Sequence, residues 1–215
     1  DPTDGTQPWA RAATGVEEAL ATAVVLLTDV LGGSVDTTLD VLHGSILAVH
    51  EAEQRLIELR GRLEPMLTEM LGGKPHIDAD GDYVFGVGAV RIIVVARSIP
   101  GAPAIVRVVT ITNTDVKIDG DLGLFLARLN FGLMFGRFAL DVEHRAIWFD
   151  ETLLGEDLSE TQLRFTVEMV ARTAAEWRQR LQQMVGGNID DAGASAEAAG
   201  NGAQARPKPG AGGYL

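Results

Sequence analysis

Residues 83–111 read YVFGVGAVRIIVVARSIPGAPAIVRVVTI, and three short segments inside this stretch decide the fold. Residues 83–87, 90–96 and 105–111 are β-branched, aromatic and brief, and turn residues separate them. The economical reading is three consecutive antiparallel strands. Gly86-Val87-Gly88 resembles the opening of a dinucleotide-binding loop, but that loop must join a strand to a helix, and from Val90 onward the pattern continues as a strand. It reads as a hairpin turn.

Before the strands the period is helical. Val16, Leu20, Val24, Leu27 and Leu31 recur at helix spacing, and Gly32-Gly33 stops that run. A second run starts with Ser34 or Asp36 as N-cap and carries Leu39, Leu42, Ile46, Val49, Leu56, Leu59 and Leu63. So narrow a stripe suits packing on another helix, either within the chain or across a dimer. Pro65 suits the first turn of a helix and not its interior, so a short helix is expected to restart there and end near Gly72-Gly73. After the strands, Asp119-Gly120-Asp121 offers a turn and a cap for a helix with Leu122, Phe125, Leu126 and Leu129 on one face. Two further strands are expected at 135–142 and 146–152, around a charged tip at Glu143-His144-Arg145. Ser159 then caps a long helix with the stripe Leu163, Val167, Val170, Ala174, Trp177, Leu181 and Met184. Beyond Gly186-Gly187 the chain is Ala-, Gly-, Asn- and Pro-rich with almost no large apolar residue until Tyr214-Leu215, too little to order itself.

The division expected is therefore a loose start at 1–10, a helical region at 11–63, an α+β domain at 64–187 and a disordered or docking tail at 188–215. The 215 residues carry 30 acidic and 18 basic side chains, a formal charge of −12. Such a field repels phosphate backbones, so nucleic acid is not an expected partner. With no Cys in the chain, disulfides, thiolate metal sites and cysteine nucleophiles are ruled out, and a cytoplasmic setting is expected. The most apolar stretch, 19–27, lies between Glu17-Glu18 and Asp29 and falls far short of the roughly 20 residues a span needs. No basic segment precedes it, so neither a transmembrane segment nor a secretory signal is expected.

Three phrases carry a family resemblance: DADGDYVFGVG at 78–88, LARLNFGLMFGRFALD at 126–141 and LLGEDLSETQL at 153–163. Together with the order helix, three strands, helix, two strands, helix, they resemble the YbjN-like domains that share the type III secretion chaperone fold, in their actinobacterial branch. The resemblance covers about residues 60–187. It implies an α+β sandwich of α-β-β-β-α-β-β-α order, here with additional N-terminal helices, often a homodimer, that holds extended or amphipathic segments of another protein without chemical turnover. No catalytic residue carries over from it.

The remaining motifs have plain readings. Asp78-Ala79-Asp80-Gly81-Asp82 has the carboxylates of a calcium loop but not its spacing, since Gly81 is fourth and Ala89 twelfth. A solvated turn is expected. His43 and His50 share a helix spacing without a third ligand, and His76 and His144 fall in turns, so no metal site is expected. Ser34, Ser45, Ser98, Ser159 and Ser195 lie in caps, helices or loops and none forms a nucleophile elbow. No enzyme activity and no cofactor are expected.

The richest segment is 129–138, with Phe131, Phe135, Phe138 and Met134 interrupted by Gly132 and Gly136. Its rings either join the core where helix meets strand, with Asn130 bonding backbone at the helix end, or some of them line a groove. In the second case Phe131, Met134 and Phe135 would contact a peptide, with Arg137 and Arg128 holding its carboxylate or carbonyl groups. Trp148 lies in a strand between Ile147 and Phe149, so one face of the sheet carries surplus apolar surface. A sheet apolar on both faces needs a cover on each, which a dimer partner, the N-terminal helices or a bound peptide would supply. The function expected is a peptide- or protein-binding chaperone or adaptor using Phe131, Met134, Phe135, Arg137 and Trp148. The alternative is a self-assembly module without a client, joined through the helices at 16–63.

Overall fold

The computed structural model describes residues 35–190. The helical run expected at 16–31, Ser34 and the segment beyond 190 lie outside those residues. The chain divides into two compact units, Asp1–Glu51 and Ala52–Leu215. The described part of the first is helical throughout, with Ile46, Leu47 and Val49 exposed.

Helix α1 runs from Val35 to Leu71 without a break at Pro65. A proline inside a helix costs about 3 kcal/mol. Leu59, Leu63 and Leu67, on either side of it, are fully buried, and burying each is worth about 1.5–3 kcal/mol. Packing therefore outweighs the proline, and the domain boundary expected between 63 and 64 falls inside a continuous helix. Arg62 fastens the same helix to the far side of the domain, donating to the Gly155 and Glu156 carbonyls at 2.7 Å. Opposite Leu59, Gly155 leaves no room for a β-carbon, which would sit 2.8 Å from the Leu59 side chain.

The strands follow as β1 (His76–Ile77), β2 (Tyr83–Val87), β3 (Val90–Arg97), β4 (Ile105–Thr114), β5 (Arg137–Asp141) and β6 (Ala146–Leu154). Helix α2 (Gly120–Gly132) separates β4 from β5, and α3 (Glu160–Val185) follows β6. All pairings are antiparallel in the order β1-β2-β3-β4-β6-β5. Apart from the two-residue strands, the order is α-β-β-β-α-β-β-α, as the sequence implies. The caps are those read from the sequence. Asp119 accepts from the Leu122 N–H at 3.1 Å, and Ser159 and Gln162 form a reciprocal capping box.

Successive strand residues face opposite sides, and here both sides are apolar. Val90, Ile92, Val94 and Ala96 of β3 join Val106, Val108, Phe138, Ile147 and Phe149 on one face. Leu59, Leu63 and Leu67 of α1, Leu122 and Leu126 of α2, and Leu163, Val167, Val170, Ala174 and Leu181 of α3 cover that face. On the other face Ile93, Val95, Val109, Ile111, Ala146 and Trp148 form a second buried cluster of strand residues only. Burial on both sides is why residues 92–96 of β3 read as an unbroken apolar run.

Residues 188–190, assigned from sequence to the tail, belong to the sheet. Asn188–Ile189 forms β7, paired with Asn113 and Thr114 of β4. Asp190 then closes a largely buried ion pair with Arg91 at 2.8 Å.

Candidate functional site

The α2–β5 connection positions the aromatic-rich segment. Helix α2 ends with the Leu133 N–H donating back to the Asn130 carbonyl at 3.2 Å. The Asn130 side chain does not serve the helix end. It reaches β5, where Oδ1 accepts from the Phe138 N–H at 2.7 Å and Nδ2 donates to the Phe138 carbonyl at 2.9 Å. Gly136 turns the chain with φ of +69°, and a β-carbon there would lie 2.5 Å from the Phe149 ring and 2.9 Å from the Asp150 carbonyl. Only glycine fits both the backbone and the space. The Gly136 N–H donates to the Glu151 carboxylate.

The two constraints split the three Phe and the Met of the segment. Phe138 is buried, tilted against Phe149 at 4.7 Å between ring centres and edge-on to Trp177 at 6.3 Å. Phe131 and Met134 point the other way and are 95% and 90% exposed. Phe135 is half exposed and meets Phe165 of α3 edge to face at 5.6 Å. Phe165 is also half exposed and escaped sequence reasoning because it stands off the buried stripe of α3. Beneath this pair lies a cavity of ≈ 10 Å³ lined by Phe149, Met169 and Val170 among others, room for about one water. The surface therefore offers apolar contact area and no deep pocket.

Arg137 opens β5, with Nε 3.4 Å from Asp150 Oδ1, while Arg107 of β4 places Nε 2.6 Å from Asp150 Oδ2. The Asp150 side chain is 1% exposed, Arg107 19% and Arg137 53%. One buried carboxylate thus serves two cations, and Arg137 keeps half its surface in solvent. Arg107 and Asp150 are 43 residues apart, and only the pairing of β4 with β6 brings them together. The trace left in the sequence is a charge inside an otherwise apolar strand. Trp148 is buried on the second face of the sheet, opposite Ala139, and lies apart from the exposed Phe131 and Met134. Arg128 is exposed on α2.

At the β2 end, Asp78 folds its own turn, with Oδ1 accepting from the Asp80 and Asp82 N–H groups at 2.9 and 3.0 Å. Asp82 is committed to Arg97 at 2.9 Å. Among the described residues no group of three or more acidic or histidine side chains is arranged to hold a metal ion, and no helix is long and apolar enough to cross a membrane. Tyr83 is pushed above its ordinary value by burial and then by the Glu64 charge, with Arg60 opposing.

No curated protein matches the chain in sequence. Among solved structures, a chain of the ExsC-ExsE complex is similar with a TM-score of 0.46 at 16% identity, over 56% of this chain and 94% of that one. A chain of the HopA1-SchA chaperone-effector complex gives 0.45 at 14% identity, over 56% and 94%. A chain from the Yersinia pestis type III secretion chaperone SycH in complex with a fragment of YscM2 gives 0.40 at 16%, over 54% and 96%. A family model described as T3SS (YopN, CesT) and YbjN peptide-binding chaperone 1 matches residues 58–191. That match spans more than half of the sequence and takes in every strand and helix from the middle of α1 to β7, so the chain belongs to this family of peptide-binding chaperones.

Proposed function

We propose that the chain is a non-catalytic chaperone or adaptor that holds an apolar segment of a partner protein on the surface formed by Phe131, Met134, Phe135 and Phe165, with Arg137 at its border. The observation that carries this reading is the near-complete exposure of Phe131 and Met134 beside a turn fixed by the Asn130 hydrogen bonds to Phe138 and by Gly136. Exposed large apolar side chains grouped in this way mark interaction sites, and Phe with Met gives contact area that adapts to varied ligands. Arg137, half exposed and already oriented by Asp150, suits a carbonyl or carboxylate of the bound segment. Trp148 belongs to the second face, and its role in the reading is to hold β6 against β5. The Cys-free sequence supports a cytoplasmic setting.

The test is affinity purification of the tagged full chain from its native cells beside the Phe131→Ala/Met134→Ala variant. A partner that recurs with the first and is lost with the second supports the reading. A partner retained by both contradicts it.

A second reading rests on α1. Ile46, Val49 and Ile57 are 61%, 47% and 62% exposed, and they favour self-association through this helix. A homodimer joined there is compatible with a client at Phe131, whereas assembly without a client is the competing case. Sedimentation of an Ile46→Lys/Ile57→Lys variant separates them: the dimer dissociates, and client binding survives only if the two surfaces are independent.

A further inference from the structure

β5 is the last strand on its side of the sheet, so half of its backbone groups face outward. In an antiparallel pair, residues that bond the neighbouring strand alternate with residues that do not. Phe138 directs both its N–H and its C=O to the Asn130 carboxamide, which places it among the outward residues although it stands opposite Phe149 of β6. Leu140, two residues on, faces the same way.

Along this edge β5 reads Arg137-Phe138-Ala139-Leu140-Asp141, a sequence complementary to itself. A second copy laid antiparallel with Ala139 on Ala139 sets Phe138 against Leu140 and Arg137 against Asp141, twice each. Phe138 and Leu140, the outward residues, would supply the ladder bonds. Within the chain Asp141 accepts from the His144 N–H at 3.0 Å and Arg137 lies 3.4 Å from Asp150, so the open backbone groups of the edge, more than its end charges, are what would draw a second copy unless something prevents it.

We infer that Asn130 is an edge plug, whose carboxamide takes at Phe138 the donor and acceptor places that a second copy's strand would use, and so keeps this edge closed to self-pairing. The residue type is specific to the task. Asparagine carries a donor NH2 and an acceptor oxygen side by side, much as a peptide group does, whereas aspartate lacks the donor and alanine lacks both. Its position on the last turn of α2, itself packed on the sheet through Leu122 and Leu126, keeps it in register with β5.

Because the chain contains no cysteine, Ala139→Cys in the full chain reports contact between two β5 edges. Under mild oxidation the Ala139→Cys chain with Asn130 intact is expected to form no disulfide through this strand. Adding Asn130→Ala is expected to give a disulfide-linked dimer at a rate that rises with protein concentration, with exchange of the Phe138 amide roughly tenfold faster in dilute solution. Adding Asp141→Arg to that chain, which sets Arg against Arg, is expected to abolish the cross-link. Should Asn130→Ala fail to fold, Asn130→Asp keeps the acceptor for the Phe138 N–H, removes the donor, and is expected to cross-link to a lesser extent. The inference is overturned if Ala139→Cys cross-links equally fast with Asn130 in place. It is equally overturned if neither Asn130 variant cross-links while the Phe138 amide is freed.

Discussion

Replacing Asp150 by Asn removes the one charge that Arg107 and Arg137 share, and the structure fixes the order in which three variants must rank. The Asp150 side chain is 1% exposed and 2.6 Å from Arg107, which is itself only 19% exposed. Breaking a buried pair by neutralising one partner costs about 3–5 kcal/mol, because the other charge is left without compensation. Arg107 retains some contact with water, and the asparagine oxygen still accepts one hydrogen bond, so a value near the lower end, about 3 kcal/mol, is expected for Asp150→Asn. Arg107→Ala leaves the more deeply buried carboxylate with only the longer Arg137 contact and is expected at about 4 kcal/mol. Arg137→Ala breaks a longer, 3.4 Å contact with a side chain that is 53% exposed, and is expected to cost no more than about 1 kcal/mol. Urea denaturation with fixed slope reads the series directly. At a slope of about 2 kcal/mol/M the first two midpoints fall by roughly 1.5–2 M and the third by at most about 0.5 M. The reasoning is refuted if Arg137→Ala costs as much as Arg107→Ala, or if Asp150→Asn costs less than about 1 kcal/mol.

Three further outcomes follow from the same packing. Gly136→Ala is expected to lose about 2 kcal/mol or more, since φ of +69° and the approach to Phe149 and Asp150 both oppose a β-carbon; thermal melting checks it. Leu63→Ala is expected to cost about 2–5 kcal/mol, whereas Ile57→Ala, 62% exposed, stays within about 0.5 kcal/mol; equal midpoints for the two would remove α1 from the core. The Tyr83 phenol, whose pKa burial raises above the ordinary value of 10.0, ionises more readily once unfolded. Its contribution to stability is therefore full below pH 10.0 and lost as pH rises through its higher folded value. Ultraviolet absorbance during alkaline titration should show this phenol ionising late, and Tyr83→Phe should flatten the decline.

Much of the fold is legible in the sequence because its strongest signals are local. Ser159 with Gln162, Asp119 before Leu122, and the β-branched runs at 90–96 and 105–111 each declare an element within a few residues. The signals that mislead are those that tertiary packing overrides. Pro65 reads as a helix start, but Leu59, Leu63 and Leu67 are buried across it and hold one helix together. β1 and β7 have two residues each, too few for any periodicity, and exist because β2 and β4 offer them a partner. The site is less legible than the fold. Where α2 gives way to β5 nothing in the residue types separates Phe138, which is buried, from Phe131, which is not, because direction there is set by Gly136 and by a hydrogen bond from Asn130 to a strand eight residues on. Trp148 illustrates a different limit. Strand alternation says that Ile147 and Phe149 face away from it, and all three are buried, so alternation alone could not assign the open surface.

The central claim is that Phe131 and Met134 bind an apolar segment of another protein, and the dissociation constant for the segment recovered by co-purification tests it most directly. Burying the two side chains is worth about 1.5–3 kcal/mol each, so the Phe131→Ala/Met134→Ala chain is predicted to bind at least about a hundredfold more weakly while its melting temperature is unchanged. Equal affinity in the two chains, with both folded, would contradict the account.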